Sequence, residues 1–343
     1  MKSLRQEPRS APSTGFTVIE LVVVVSVIAV LMGVLLPAVQ QARENARKFQ
    51  CRNNLMNIGF ALQSYTHTFG RLPPGSVNDT APVLSRMQGY HMSWIAQLLP
   101  YLEHQGTYRK LDFGHSVYAK ANAVARATRL GVLLCSSANV VQTVLPYQPG
   151  SAEDPSFIPP PNAEIPPSMP MDEWASEQRI TCLSHYAGCH HDTELPIDVD
   201  QHGVLFLNSG VRWRDITDGR ACTIAVGEVT GDLLRNAGWI AGTRATLRNT
   251  GLSINRPAIT SPGMPADTTA WTGNWELTET QAEELGMPLV DYSRVVGGFG
   301  SVHVGGAHFL FADGSVRFLA ANIDFDTYRR MGHRSDGGLS PEE

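Results

Sequence analysis

TGFTVIELVVVVSVIAVLMGVLL, Thr14 to Leu36, is the stretch on which the fold turns. It follows a polar, mostly basic leader and continues as roughly 20 apolar residues, about the length a helix needs to cross a bilayer. One charge, Glu20, interrupts it. A carboxylate in hydrocarbon costs roughly 2.5 to 3.5 kcal/mol or more unless it is neutralised or paired. Glu20 is therefore a candidate functional residue, and an amine is its natural partner. A cleaved secretory signal is one alternative, but it would have a shorter apolar core, roughly 7 to 15 residues, with a small-residue cleavage site after it. Here Gly15 precedes the apolar run. A plain membrane anchor is the other alternative.

Working outward, the leader Met1 to Gly15 carries Lys2, Arg5 and Arg9 against Glu7, a net charge of +2 within a chain of 343 residues and net −5. Basic residues ahead of a span hold that end in the cytoplasm and send the rest across, where disulfides persist. The acidic balance argues against nucleic acid as a partner. Past Pro37, two adjacent stripes run near a 3.6-residue repeat. One is Val39, Ala42, Ala46, Phe49, Met56 and Phe60; beside it lie Leu55, Ile58, Leu62 and Tyr65. The expectation is one helix from about Phe16 to Thr66, kinked at Pro37 and stopped by Gly70 and Pro73-Pro74. The expected organisation is a leader (1–15), a transmembrane helix (16–36), its amphipathic continuation (37–75) and a globular head (76–343).

Within the head, Met92 to Lys110 reads as a helical stretch broken at Pro100, and Ala119 to Leu134 as a helix or helix-to-strand element. Leu145 to Pro170 holds nine prolines and reads as a long surface excursion. Strand-like runs are Gly203 to Leu207, Val211 to Arg214, Cys222 to Val226 and Trp239 to Thr243. Residues 253–292 are rich in Pro, Gly and Thr, with a short helical piece near Thr278 to Leu285. Near the end, His308 to Ala312 and Ser315 to Leu319 flank Asp313-Gly314, a strong hairpin signal because a type I′ turn needs positive φ at both central residues. A two-residue loop would pair Phe311 with Val316 and Phe309 with Phe318 on a core-facing side, with Leu310 opposite Arg317. The hairpin is expected over residues 307–320.

Gly15-Phe16-Thr17-Val18-Ile19-Glu20-Leu21 resembles the cleavage and methylation site of type IV prepilins and type II secretion pseudopilins. The resemblance implies a prepilin peptidase that cuts after Gly15 and methylates Phe16. It also implies that Glu20 pairs with a neighbouring subunit's terminal amine during filament assembly. Further motifs resemble a large bacterial family of pseudopilin-like proteins of unknown function. These are Cys51-Arg-Asn-Asn-Leu55, Pro73-Pro74-Gly75, the segment Ser93-Trp94 to His104, Cys135-Ser136, Trp213 to Gly219, and Gly227-Glu228. That family's C-terminal signature is a His, nine residues, then Asp-Gly, and His303 with Asp313-Gly314 has this spacing. The turn explains the Asp-Gly half; His303 reads as a structural histidine before a ligand. The implied fold is α+β and pilin-like, a long N-terminal transmembrane helix against an antiparallel sheet head with long loop insertions.

A candidate metal centre lies in Cys182 to Asp192, with His185, His190, His191 and Asp192 as ligands and Asp198, Asp200 and His202 nearby. Imidazole and carboxylate suit zinc, and paired Asp suits calcium, although the spacing matches neither a paired Cys-x-x-Cys site nor a twelve-residue calcium loop. The alternative is a disulfide-stapled loop with solvated histidines. Of five cysteines, Cys51 with Cys135 and Cys182 with Cys189 are the favoured pairs, leaving Cys222 as a buried free thiol in an apolar strand. No Gly-x-Ser-x-Gly, His-Glu-x-x-His or phosphate loop is present, so the expectation is not an enzyme. It is a structural pseudopilin-type subunit of the inner membrane with an extracytoplasmic head, assembling with other pseudopilin subunits. A surface protein binding glycan or another ligand is the second reading, and a metal-dependent enzyme the third.

Overall fold

The computed structural model describes residues 18–138, 141–144, 180–229, 237–256 and 293–338. Gly15, Phe16, the side chain of Glu20, the proline-rich excursion and residues 257–292 lie outside the described residues. The helices are α1 (Val18–Phe69), α2 (Trp94–Leu98), α3 (Gln105–Tyr108), α4 (Ala123–Arg126) and α5 (Phe325–Arg330). The strands are β1 (Ser76–Val77), β2 (Met92–Ser93), β3 (Gln142–Val144), β4 (Ile180–Cys182), β5 (Tyr186–His191), β6 (Ile224–Glu228), β7 (Leu247–Asn249), β8 (Gly306–Phe311) and β9 (Val316–Ala320). The chain divides into two compact units, Met1–Arg47 and Lys48–Glu343.

In the first unit, α1 is long and apolar enough to cross a membrane. Every described side chain from Val18 to Leu36 is exposed. The helix continues through Pro37 without interruption, and Arg47 pairs with Glu44 at 2.7 Å, one turn apart.

In the second unit, α1 turns one stripe inward: Cys51, Leu55, Ile58, Leu62 and Tyr65 are buried, each three or four residues from the last. Phe49 and Phe60, on the neighbouring stripe, are 61% and 62% exposed. A Met and aromatic stripe of this kind reads from sequence as core, and the exposure of Phe49 and Phe60 corrects that expectation. Gly59 lets β8 approach: a Cβ there would lie 2.9 Å from Leu310 Cδ1. The helix ends where Gly70, at φ +69°, donates to Thr66 O at 2.8 Å; glycine enters this left-handed conformation without the steric penalty of a Cβ.

The main sheet has the order β7-β5-β6-β8-β9. It is antiparallel except for β5 with β7, which run parallel, so the head sheet is mixed rather than purely antiparallel. Side-chain alternation gives it two apolar faces. Tyr186, Val226, Leu310 and Ala312 face the cluster that contains the helix stripe. Ala187, Cys189, Ile224, Phe309 and Phe311 face a second cluster with Tyr328 of α5. The architecture is thus α+β, a long N-terminal helix on a sheet whose other face α5 covers, and each fully buried Leu, Ile or Phe contributes about 1.5 to 3 kcal/mol.

The β8–β9 hairpin differs from its expected register. Leu310 pairs with Val316, Phe309 with Arg317 and His308 with Phe318, one residue off the two-residue-loop pairing. Gly314 N donates to Phe311 O at 2.9 Å and Phe311 N to Ser315 O at 2.9 Å, so Ala312-Asp313-Gly314 form a three-residue loop. Only Gly314 there has positive φ, +90°. This is a type I turn closed by a left-handed glycine, not type I′. Of the other expected strands, only Cys222 to Val226 overlaps an observed one. Residues Trp213–Asp215 form a 3₁₀ turn, and Gly203 to Leu207 and Trp239 to Thr243 each make only an isolated β-bridge, Leu207 to Ser76 and Ala241 to Met92.

Candidate functional site

Where α1 seats on the sheet, five chemically distinctive side chains from distant segments meet. Cys51 sits on the first turn of α1 within the second unit. Asn54, one turn on, donates from Nδ2 to Leu134 O at 3.0 Å and to Tyr186 Oη at 3.2 Å. These bonds hold the chain after the 3₁₀ turn Gly131–Leu133 against the helix. Cys135 N donates to His185 Nδ1 at 3.0 Å, and the Cys51 and Cys135 sulfurs come within 3.0 Å. His303 Nε2 lies 3.6 Å from Cys135 Sγ.

The same imidazole nitrogen stands 3.8 Å from Glu228 Oε1. Glu228 ends β6, and its carboxylate accepts from His308 N at 2.8 Å and faces His308 Nδ1 at 3.3 Å. The two imidazoles meet edge to face, 6.0 Å apart at 86°. Phe318 of β9 lies edge-on to His308 at 5.0 Å, with Lys48 Nζ 5.6 Å from its ring. Cys51, Cys135, Glu228, His303 and His308 are all buried. A buried charge is tolerated only when paired and hydrogen-bonded, and among the described residues the ion pairs of Glu228 are with these two histidines. The thiol of Cys135, keeping its proton, draws the Cys51 thiol down, while Cys51 and burial push Cys135 up. Burial carries the Tyr186 phenol well above its ordinary range.

Ligand atoms of Cys51, Cys135 and His303 fall within 4.8 Å of one another, as do those of Glu228, His303 and His308. The site can therefore join its sulfurs, share protons between imidazole and carboxylate, or hold a soft divalent ion. The sequence motifs mark Cys51, Cys135 and His303, and contain Glu228 without assigning it a role. His308 and Asn54 were missed. A charge ending the apolar run Ile224-Ala-Val-Gly-Glu228 was the available signal for Glu228.

The expected metal centre is distributed otherwise. His185 turns to Cys135. His190 is buried, with Nδ1 2.6 Å from Gln201 Oε1. Strand alternation separates it from His191, and of the four expected ligands only His191 and Asp192 come together. Their third member is His202, whose Nδ1 is 2.7 Å from Asp192 Oδ1. His202 stacks on His191 at 4.2 Å and meets His333 at 4.2 Å. Burial raises Asp192, but the hydrogen bonds of His191 and His202 outweigh it and hold the carboxyl well below its usual range. Asp198 accepts from Val199 N at 2.7 Å.

The expected Cys182–Cys189 bridge is corrected too. Cys182 lies in the helix-side cluster and donates to Ala127 O at 3.0 Å, whereas Cys189 lies in the opposite cluster beside His191 O at 3.7 Å. In this structure no two cysteine sulfurs are bonded, and Cys222 is half-buried ahead of β6, not buried within it.

A long N-terminal helix, apolar in its first part and packed on a mixed sheet through its Leu55 to Tyr65 stripe, places this chain in the pilin-like class of α+β folds. A family model described as a protein of unknown function (DUF1559) matches residues 40–326, and the chain belongs to that family. No curated protein and no solved structure matches it.

Proposed function

We propose that the chain is a pseudopilin-type structural subunit. A prepilin peptidase cuts it after Gly15 and methylates Phe16, and it is then assembled with other pseudopilin subunits into a filament at the inner membrane, its head outside the cytoplasm. The observation that carries this reading is the division of labour along α1. One uninterrupted helix carries exposed, mostly apolar side chains from Val18 to Leu36, as far as they are described, and a buried stripe from Cys51 to Tyr65. An exposed surface of that composition needs lipid or other apolar helices around it. Glu20, which costs energy in lipid unless paired, would find its amine on a neighbouring processed subunit.

N-terminal sequencing of the mature protein should start at methylated Phe16, and Gly15→Val should accumulate at precursor mass. Glu20→Ala should insert and fold its head yet stay out of filaments. A mature chain starting after Leu36 would replace this reading with secretory cleavage, and normal incorporation of Glu20→Ala would remove the carboxylate from assembly.

A further inference from the structure

Among the described residues, Cys51 is the first buried side chain along α1; every position before it is exposed or half-buried. It marks the point where the helix enters the core. Opposite it stands Cys135, held by the backbone bonds of residues 134 and 135 to Asn54 and His185. The 3.0 Å between the sulfurs is less than the roughly 3.5 to 4.0 Å at which non-bonded heavy atoms settle. It is also about 1 Å from the roughly 2.05 Å of a disulfide. A tetrahedral zinc ion, with Zn–S about 2.3 Å, would instead need the sulfurs to move apart. Cys182 and Cys189 instead set their sulfurs against backbone carbonyl oxygens.

We infer that Cys51 and Cys135 are joined in the mature protein by a disulfide that staples the head end of α1 to the turn around residue 135. The inference rests on the extracytoplasmic placement of the head, since the oxidant must come from that compartment. An external disulfide, that of a thiol oxidoreductase or of oxidised glutathione, takes the two electrons. While this end of α1 is unseated, the Cys51 thiolate attacks one sulfur of that disulfide and releases the other as a thiolate. As the helix seats, Cys135 gives its proton to His303 Nε2 and attacks Cys51 Sγ. The protein disulfide forms and the second external thiolate leaves, so two protein thiols are oxidised and one external disulfide is reduced. Glu228, beside His303, balances the imidazolium until solvent takes the proton.

The position determines the consequence. A pull along α1 reaches the head at its first buried turn, and a helix held there only by side-chain contacts would peel from Cys51 toward Tyr65. The staple closes that route, and burial of both sulfurs shields it from reductants in the folded protein.

The test uses full-length protein extracted from membranes in detergent, with thiols blocked by iodoacetamide under denaturing conditions before non-reducing digestion and mass spectrometry. The expected result is a peptide pair linking 51 to 135, two hydrogens lighter than the separate peptides, with the other three cysteines alkylated. Cys51→Ser with Cys135→Ser should fold but melt about 10 °C lower, with faster hydrogen exchange from residue 51 to residue 66. Zinc at one equivalent per chain with both thiols free would overturn the staple. Free thiols both in extracted protein and after refolding in oxidised glutathione would overturn it as well. Free thiols in extracted protein alone, with the 51–135 link forming on refolding, support the geometry and overturn the extracytoplasmic placement instead.

Discussion

Two histidine-rich clusters in the head answer the same problem, a buried carboxylate, in different ways. Asp192 is served by His202, whose side chain is 46% exposed, and by Arg329 at 3.7 Å, so water shares the charge. Glu228 is closed in with His303 and His308 and fixes a backbone N–H as well. The first cluster comes mainly from one stretch of chain, 191–202, with His333 added. The second is assembled from α1, the turn at 135, β6, the loop at 303 and β8, so it exists only when the whole head is folded. Sequence proximity marked the cluster that local contacts satisfy, while the one that reports the complete fold was spread along the chain.

The sharpest test of this contrast is truncation of each carboxylate. Glu228→Ala strips its partner from the buried His308 N–H and leaves two imidazoles facing a void. It should destabilise by about 3 to 5 kcal/mol. Asp192→Ala, two of whose partners, His202 and Arg329, reach solvent, should cost about 1 to 2 kcal/mol. Urea unfolding of the full chain in detergent measures both, and equal losses would dissolve the distinction between a local and a global cluster.

An acid titration probes the same divide more gently. Burial holds His91 at about 4 and His190 at about 3, below the ordinary value near 6.5. Both stay neutral in the folded protein and charge readily only on unfolding, so the unfolded state binds more protons and stability falls as pH drops from about 6.5 toward 4. For His91 the loss reaches roughly 3 kcal/mol. Asp192, depressed in the folded state, contributes stability above the ordinary carboxylate range and loses it only as pH falls below about 4. The melting temperature should therefore fall in two stages, and His91→Gln, keeping a polar group near Tyr118 Oη (2.8 Å from His91 Nδ1), should flatten the first. A single fall beginning below pH 4 would mean that the buried histidines already share their protons with neighbours.

What could be read from sequence follows the range of the forces involved. The long helix was legible because apolar residues 18–36 and a 3.6-residue repeat are local signals. Which of two adjacent apolar stripes faces the core was not, because Phe60 and Leu62 differ little in hydrophobicity and Leu310 beside Gly59 settles the choice. β5, Tyr186-Ala-Gly-Cys-His-His191, carries none of the β-branched residues that announce a strand. It is a strand because neighbours on both sides pair with it. The hairpin was legible at Asp313-Gly314, but its register turned on whether Asp313 also adopts positive φ, which the residue pair alone does not determine. In the site, residue types were informative and spacing was not: thiol, imidazole and carboxylate meet through the fold.

The smallest expected effect concerns metal at the His191–Asp192–His202 cluster, where ligand atoms lie within 4.8 Å of one another. The ligand atoms that come together already have partners within the protein. His191 Nδ1 is 2.9 Å from both Thr193 N and Asp192 Oδ1, and His202 Nδ1 is 2.7 Å from the same carboxylate oxygen. The rings of His191 and His202 stack instead of converging on a point. A zinc or calcium ion would have to break these contacts before making its own, so affinity gained at the metal is offset by hydrogen bonds lost. A metal bound at one hundred times its dissociation constant would add about 2.7 kcal/mol, or several degrees of melting temperature. We expect zinc and chelator to give melting temperatures within about 1 °C of each other, because a site whose donors are satisfied internally gains little by exchanging them. A rise of several degrees with zinc, abolished by His202→Ala together with His333→Ala, would show that the exposed histidines turn outward to bind, and would make the local cluster the one that responds to its surroundings.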